Sequence, residues 1–285
     1  MRTTIKAVPV GDIEIACAIV GEGTPLVVLH GAIGLGRTYM RALDPWGDEG
    51  QLIHYDQRGS GNTPVGDVQR VSFAGGVEDL EGLRQNLGLD YIQVLGHSAG
   101  AYLAALYAAE HPATTSGVVL LNPGPPLAPD LMEQFQQTMS SRRTQHDDDA
   151  RKAIEESEEF RTGQPQALER HQLNTFIPFF NERATVERVS LGFTEITAAN
   201  VQLGPQRMMG SLGALDPISK FAGIEAPTLV VHSELDPIPH EWSRFLATSI
   251  PNAEFALIEG GSHFPMVENA QQLRTTVVPW LGKHA

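Results

Sequence analysis

A serine between two glycines is the feature of this chain best suited to do chemistry. Ser98 lies in the pentapeptide Gly96–Gly100 (GHSAG), which follows the apolar run Tyr91–Leu95 and precedes a stretch of helix formers, Ala101–Glu110. A serine at such a tight strand-to-helix turn holds its hydroxyl at the end of a sheet, and the glycines are needed because the turn leaves no room for side chains. The order of strand, serine and helix therefore predicts a nucleophile for attack on a carbonyl group.

A base and an acid of suitable type follow two later strands. A serine hydroxyl needs a base to take its proton, and the base needs a carboxylate to orient it. Asp236 comes just after the apolar run Pro227–His232, and His263 comes just after the run Glu254–Ile258. Because the carboxyl ends of parallel strands meet at one edge of a sheet, these side chains and Ser98 are expected to converge there.

Other side chains compete for the roles of base and acid. Glu234 is the first substitute for the acid, although we expect it to be solvated or to brace its loop. His232 at a strand end competes with His263, which we favour because a Gly-Gly-Ser loop precedes it. His97, inside the pentapeptide, is expected to line or buttress a pocket, and His30 is expected to hydrogen-bond loop backbone.

Strands alternate with helices along most of the chain, so the elements must form a parallel sheet that helices cover on both faces. Strands are predicted at residues 13–20, 26–29, 51–56, 91–95, 117–121, 227–232 and 254–258, and helices at 77–87, 101–110, 242–250 and 270–281. Asp56 and Arg58 lie in the glycine-rich loop after the third of these strands. We expect them to brace that loop as an ion pair.

The strand-helix rhythm stops between residues 127 and 215, where the chain is polar, charged and helix-prone. We interpret residues 127–215 as a helical insertion into a core domain made of residues 1–126 and 216–285.

Large apolar side chains within the insertion have two possible roles. Phe176, Phe179 and Phe180 either bind an apolar part of the substrate or pack the insertion against the sheet domain. Met208 and Met209 leave the same choice open.

The composition is that of an ordinary globular protein with no nucleic-acid partner. The chain has 285 residues and a net charge of -14, and such a charge repels phosphates. The single cysteine, Cys17, cannot form an internal disulfide and fits a core strand. The N-terminus lacks the apolar run of a secretion signal, and no stretch is apolar enough for a membrane span, so a cytoplasmic location is expected. The oligomeric state is left open.

The motifs imply no cofactor and no metal. No pair of histidines spaced for a zinc site brackets a glutamate in this sequence. The glycines Gly31, Gly34 and Gly36 lack the Lys-Ser or Lys-Thr of a phosphate loop and miss the dinucleotide spacing. We therefore expect a cofactor-free enzyme that acts on a small-molecule substrate.

The chain resembles the α/β-hydrolase superfamily, in which a serine elbow, an acid after the penultimate strand and a late histidine follow one another. The resemblance implies a mostly parallel, eight-stranded sheet flanked by helices, with a helical cap at the position of the insertion. It also implies that Ser98 is the nucleophile and that Asp236 orients His263 as general base and then acid. The backbone N–H groups of Ala32 and Ala99 would form the oxyanion hole.

One stretch has a narrower likeness. Residues Asp56–Thr63 (DQRGSGNT) resemble the Asp-Gln-Arg-Gly-x-Gly-x-Ser stretch of proline iminopeptidases, which cleave N-terminal proline from peptides. That family reads the free amine of the substrate with acidic residues, for which Glu182, Glu187 and Glu195 are candidates. Two segments depart from the family: residues 30–34 read HGAIG rather than HGGPG, and the elbow reads GHSAG rather than GGSWG.

The GHSAG elbow is common among esterases, lactonases and related hydrolases. We therefore expect a serine hydrolase that cleaves a small-molecule ester, thioester or lactone through an acyl-enzyme. The alternative is an aminopeptidase like proline iminopeptidase. A further alternative is a lyase or perhydrolase, which the same fold and triad support. Relatives that displace halide or open epoxides carry aspartate at the elbow, so Ser98 argues against those reactions.

Overall fold

The computed structural model describes residues 2–31 and 35–285, apart from the side chains of Leu203 and Pro205. Within these residues one sheet contains β1 (Thr3–Val10), β2 (Ile13–Val20), β3 (Pro25–Leu29), β4 (Gln51–Tyr55), β5 (Ile92–His97), β6 (Thr115–Leu121), β7 (Thr228–Ser233) and β8 (Ala253–Ile258). The spatial order is β1-β2-β4-β3-β5-β6-β7-β8. The pairs β1/β2 and β2/β4 are antiparallel, and the other pairs are parallel. The expected mostly parallel, eight-stranded sheet is confirmed.

Helices connect the strands. The α-helices of the described residues are α1 (Phe73–Asn86), α2 (Ala99–Glu110), α3 (Pro129–Ser141), α4 (Gln145–Glu156), α5 (Glu158–Arg161), α6 (Pro165–Phe176), α7 (Glu195–Asn200), α8 (Leu203–Gly213), α9 (Pro217–Phe221), α10 (His240–Ser249), α11 (Pro265–Glu268) and α12 (Ala270–Lys283). Short 3-10 helices occupy Arg37–Asp48, Val68–Arg70, Pro112–Thr114, Ile177–Phe179 and Arg183–Arg188. No helix in the described ranges has the length and apolarity that crossing a bilayer requires.

The central strands read as continuous apolar runs because both faces of the sheet are covered. Every residue of β5 is buried. Its successive side chains enter different clusters: Val94 packs with the cluster that contains most of α2, and Leu95 packs with the cluster that contains Leu273 of α12. Because successive side chains of a strand point to opposite faces of the sheet, one strand contributes to the core on both faces.

The sequence analysis missed β1, which lies at the edge of the sheet. Its first five residues are exposed, and Ile5 is among the exposed large hydrophobic residues. Only Val8 and Val10 of β1 are buried in the core, so the strand shows neither an apolar run nor a strict alternation and its sequence carries a weak signal.

In the loop after β4, Asp56 and Arg58 form ion pairs with different partners, and Arg58 has both Asp12 and Asp79 as partners. Asp56 accepts hydrogen bonds from the backbone N–H of Arg37 at 2.8 Å and from the Arg37 guanidinium. Arg58 binds Asp79 of α1 through two N–H groups, each at 2.8 Å. The expected pair between Asp56 and Arg58 is therefore wrong, because Asp56 pairs with Arg37 and Arg58 pairs with Asp79 of α1.

Between β6 and β7 the described chain is helical, from α3 to α9, and contains no strand. Residues 127–215 touch the loops at the carboxyl edge of the sheet. Leu191 O accepts from Gly36 N–H at 2.8 Å, and Thr197 Oγ1 accepts from Gly61 N–H at 2.8 Å. The division of the chain into a core and an inserted cap stays a prediction.

At the turn between β5 and α2, which contains Ser98, backbone segments pack directly against one another. A Cβ added at Gly96 would lie 2.1 Å from Gly100 O. A Cβ added at Gly100 would lie 2.4 Å from His30 O and 2.7 Å from Leu29 O. The glycines therefore let the start of α2 rest directly on the end of β3.

Replacing Gly100 tests this packing. Gly100→Ala is expected to lower the free energy of unfolding by about 1–3 kcal/mol, because backbone oxygens cannot move aside as a flexible side chain does. Gly282→Ala in α12 is the matched control, since an added Cβ there meets nothing within 4 Å. Urea unfolding of both variants measures the difference. Equal midpoints for Gly100→Ala and wild type would contradict the close approach.

Candidate active site

Ser98 sits between β5 and α2 in a conformation that few serines adopt. Its φ is 55° and its ψ is -124°, so the backbone is strained. Its N–H donates to Leu121 O of β6 at 3.0 Å, and its carbonyl accepts from Ala101 N–H at 3.0 Å. Although Ser98 holds the N-cap position of α2, its side chain makes no capping hydrogen bond. The hydroxyl is therefore not used by the helix.

Asp236 and His263 lie together in the loops after β7 and β8. The ring Nδ1–H of His263 donates to Asp236 Oδ2 at 2.6 Å. The other carboxylate oxygen of Asp236 accepts from Ile238 N–H at 2.8 Å. Both side chains are buried. Such a hydrogen bond fixes the tautomer with the proton on Nδ1 and leaves Nε2 as an acceptor.

The competing residues have other partners. Glu234 is exposed and its carboxylate accepts from Gly260 N–H at 2.8 Å, so it braces the loop after β8. The ring of His232 is buried and hydrogen-bonds Ser243 Oγ at 2.8 Å, and burial lowers its pKa. Neither residue takes part in the contact between Asp236 and His263.

Ser98 and His263 line one cavity of about 190 Å³. Most of its lining is apolar, and the lining residues are Gly31, Leu35, Tyr39, Gln57, Phe73, His97, Ser98, Ala99, Pro125, Phe135, Phe176, Phe179, Met208, Met209, Ile238, His263 and Phe264. None of these described residues carries a carboxylate. Within the described part of the chain no hydrogen bond joins Ser98 to His263. Such bonds are often long in unliganded enzymes and tighten when substrate binds.

The sequence-predicted binding residues divide into two groups. His97, Phe176 and Phe179 line the cavity. Phe180 does not line it: its ring stacks on that of Phe264, with centroids 4.5 Å apart and planes at 2°. The expectation that Phe180 binds substrate is corrected to a packing role. The chain leaves the 3-10 turn Ile177–Phe179 in an extended conformation, which separates two successive aromatic rings.

Several other expectations can be placed. Ala99 lines the cavity at the first turn of α2, and Ala32 lies outside the described residues. Glu182, Glu187 and Glu195 are exposed and do not line the cavity. Among the residues that the structure describes, no cluster of three or more His, Cys, Asp or Glu side chains is placed to hold a metal ion.

The loop after β4 is hydrogen-bonded to the turn after β3. The ring of His30 accepts from Gln57 N–H at 3.0 Å through Nε2. The Gln57 side chain in turn donates to His30 O at 2.7 Å. His30 is fully buried, and desolvation lowers its pKa to about 4. This pair of bonds fixes the backbone that leads into Gly31.

Tyr39 is a site residue that the sequence analysis missed. Its hydroxyl accepts from Gly31 N–H at 2.6 Å and donates to His97 Nδ1 at 2.9 Å. The opposite ring nitrogen of His97 donates to His263 O at 2.8 Å. Tyr39 belongs to the 3-10 helix Arg37–Asp48, and nothing in its local sequence indicates this contact.

Asn122 was also missed. Its side-chain nitrogen donates to Ser262 O at 3.1 Å and to His263 O at 3.2 Å, and its side-chain oxygen accepts from Ser233 N–H at 2.8 Å. Asn122 therefore holds the ends of β6 and β7 against the loop that carries His263. Its place just after a buried strand, where functional side chains gather, was the available signal.

The comparisons with known proteins agree with the fold of the sheet domain. Residues 24–270 match the family profile described as alpha/beta hydrolase fold. The chain belongs to the alpha/beta hydrolase fold family.

Individual members of that family are similar along the whole chain. A proline iminopeptidase of Lactobacillus delbrueckii subsp. lactis is 27% identical over 297 residues, covering 99% of each chain. One of Clostridium botulinum is 29% identical over 297 residues, covering 100% of both. The crystal structure of proline iminopeptidase from Mycobacterium smegmatis superposes with a TM-score of 0.74 at 22% identity, covering 99% of this chain and 98% of that one. That last likeness supports the hydrolase fold.

The buried neutral histidines predict that the protein loses stability in acid. His30 has a folded pKa of about 4 against about 6.5 when unfolded, so its contribution is complete above pH 6.5 and is lost as the pH falls towards 4. From pH 7 to pH 5 this one group should lower the free energy of unfolding by about 2 kcal/mol. Burial lowers the pKa of His97 and His232 in the same direction.

Urea unfolding at pH 7 and pH 5 measures this loss. His30→Gln removes the titrating group, so the pH dependence should shrink by about 2 kcal/mol even if the variant is less stable at both pH values. A variant with the full pH dependence of wild type would refute the assignment to His30.

Proposed function

We propose that this protein is a serine hydrolase that removes an N-terminal residue, preferably proline, from short peptides. The observation that carries the proposal is the loop Asp56–Thr63. Its sequence resembles the corresponding loop of proline iminopeptidases, and it is hydrogen-bonded through Gln57 to the His30–Gly31 turn beside Ser98. Curated relatives with that activity, similar over the full length of the chain, support the same choice.

In the proposed mechanism Ser98 attacks the carbonyl carbon of the N-terminal residue. His263 takes the hydroxyl proton at Nε2, because its Nδ1–H is committed to Asp236. The tetrahedral intermediate collapses when His263 returns the proton to the leaving amine, and an acyl-enzyme remains. Water, with His263 again acting as base, then releases the amino acid.

The negative oxygen of the tetrahedral intermediate needs fixed donors. The Ala99 N–H lies at the N-terminus of α2, where unpaired N–H groups and the helix dipole favour negative charge. The expected second donor, the N–H of Ala32, follows the Gly31 turn. Main-chain donors held by packed elements cost no reorganisation at the moment of reaction.

The lining of the cavity suits a compact apolar ring. The Phe179 ring lies 4.5 Å from the His263 ring between centroids. The rings of Phe176 and Phe135 both contact the Phe179 ring. A pyrrolidine ring next to His263 would bury its methylenes against these aromatic faces. The methylenes of an N-terminal proline fit such a surface, while its ring nitrogen carries the free amine.

One observation favours a second function, hydrolysis of a small ester, thioester or lactone. A peptide substrate brings a charged amine, and a buried charge needs a partner. None of the described residues that line the cavity is acidic, and Glu182, Glu187 and Glu195 are exposed away from it. An uncharged acyl group would need no such partner.

Four chromogenic substrates separate the two functions. They are proline p-nitroanilide, its N-acetyl derivative, alanine p-nitroanilide and p-nitrophenyl butyrate. For the aminopeptidase, kcat/KM should be highest for free proline p-nitroanilide and fall at least about 100-fold on N-acetylation, because the site must read the amine. Turnover of the butyrate ester alone would reject the aminopeptidase and support the second function.

The control for this panel is Ser98→Ala. It should lose at least about 10³-fold in kcat on every substrate that wild type cleaves, while its unfolding midpoint stays close to wild type. A fluorophosphonate probe should label wild type at Ser98 and leave the variant unlabelled. If Ser98→Ala keeps the wild-type rate, another group performs the attack.

The acid is tested by a pair of amide variants. Asp236→Asn should lower kcat by about 10⁴-fold, because the imidazole no longer holds its proton on Nδ1. Glu234→Gln is the matched control two residues away, and it should stay within a few-fold of wild type because Glu234 contacts loop backbone at the surface. If both substitutions lower kcat to a similar extent, the assignment of the orienting role to Asp236 is wrong.

A further inference from the structure

A buried chain of hydrogen bonds runs from the turn after β3 to the loop that carries His263. It begins at Gly31 N–H, passes through the Tyr39 hydroxyl and the His97 ring, and ends at His263 O. Tyr39 and His97 are 4% and 1% exposed, so water does not compete for these bonds. The three links join segments that are distant in the sequence.

The ends of this chain fix its direction when the His97 ring carries a single proton. Gly31 N–H can only donate and His263 O can only accept. The Tyr39 hydroxyl therefore accepts from Gly31 and gives its own proton to His97 Nδ1. The single proton of the His97 ring is then on Nε2, facing His263 O. Burial, which lowers the pKa of His97 well below its usual value, keeps the ring neutral with that one proton.

We propose that Tyr39, acting through His97, is a positioning residue that holds the turn after β3 and the His263 loop in register around Ser98. The inference rests on the proposed function in one respect, that Ser98 and His263 perform acyl transfer. Gly31 precedes the residue expected to supply an oxyanion donor, and His263 supplies the base. Both must be held to within about 0.5 Å for an efficient reaction.

The neutral state of His97 matters because its ring lies 4.7 Å from the His263 ring between centroids. When His263 takes the serine proton it becomes positively charged. A second cation at that distance in a buried site would oppose this step. The proton that Tyr39 donates to Nδ1 occupies the position where His97 would otherwise gain its charge.

A packing role for the Tyr39 ring is the simpler explanation that the test must separate. The ring makes an edge contact with Phe264 at 5.7 Å between centroids, and phenylalanine would keep this contact. Tyr39→Phe therefore removes the hydroxyl and its two hydrogen bonds while it preserves the ring.

The matched control is Tyr107→Phe. The Tyr107 hydroxyl is also hydrogen-bonded, to Glu81 at 2.9 Å, and its ring is buried in α2. It does not line the cavity. Both variants lose a tyrosine hydroxyl that was hydrogen-bonded inside the protein, so a general loss of stability should affect them alike.

The experiment measures kcat and KM on the best substrate and the second-order rate of Ser98 labelling by a fluorophosphonate. Tyr39→Phe should lose about 10-fold or more in kcat and in labelling rate, with KM within about 2-fold of wild type, because the lost alignment matters in the transition state. Tyr107→Phe should keep the wild-type kcat and labelling rate. Wild-type kcat in Tyr39→Phe, or equal losses in the two variants, would overturn the proposal.

A double-mutant cycle tests whether Tyr39 acts through His97. If the two belong to one chain, adding Tyr39→Phe to His97→Phe should cost less than about 2-fold further in labelling rate. Additive losses would overturn the coupling. Failure of the premise that Ser98 and His263 perform acyl transfer is a separate result, because then wild type itself would not be labelled at Ser98. A labelled wild type that cleaves only the ester would reject the aminopeptidase and leave this proposal intact.

Discussion

The direct contact between the start of α2 and the end of β3 is the constraint on which the site depends. At Gly100 an added Cβ would lie 2.4 Å from His30 O, so these backbones touch without side chains between them. This contact places the N-terminus of α2 beside the turn after β3, and Ser98 at the same turn has a positive φ of 55°. The strain is local, and the packed core on both faces of the sheet over-determines it.

Buried polar groups around Ser98 are satisfied by partners from different segments. His30 binds Gln57, His97 binds Tyr39 and His263 O, and Asn122 clamps the loop after β8. Burial keeps His30 and His97 neutral, since a charged imidazole in a dry site has a large desolvation cost. Neutral rings can donate at one nitrogen and accept at the other, which lets them transmit a defined direction of hydrogen bonding. The burial of neutral, hydrogen-bonded histidines thus makes the fold sensitive to acid and also makes the site rigid.

The helical segment 127–215 supplies part of the cavity wall. Phe179 lies against the His263 ring, and its carbonyl accepts from His263 N–H at 3.1 Å, so this segment touches the proposed base through both side chain and backbone. Phe135, Phe176, Met208 and Met209 add apolar lining from the same segment. Side chains from this segment and from the loops of the sheet therefore line the cavity together.

The sequence by itself determined the central strands, the serine elbow and the three candidate residues, because apolar runs, glycines and residues after strand ends are local signals. It missed the edge strand β1, whose outer residues pack on little. Only the tertiary structure decided that Asp56 pairs with Arg37, that Phe180 packs away from the cavity where Phe179 lines it, and that Tyr39 reaches His97. These contacts join residues from different segments of the chain. A local sequence pattern carries no information about which distant residue packs against it.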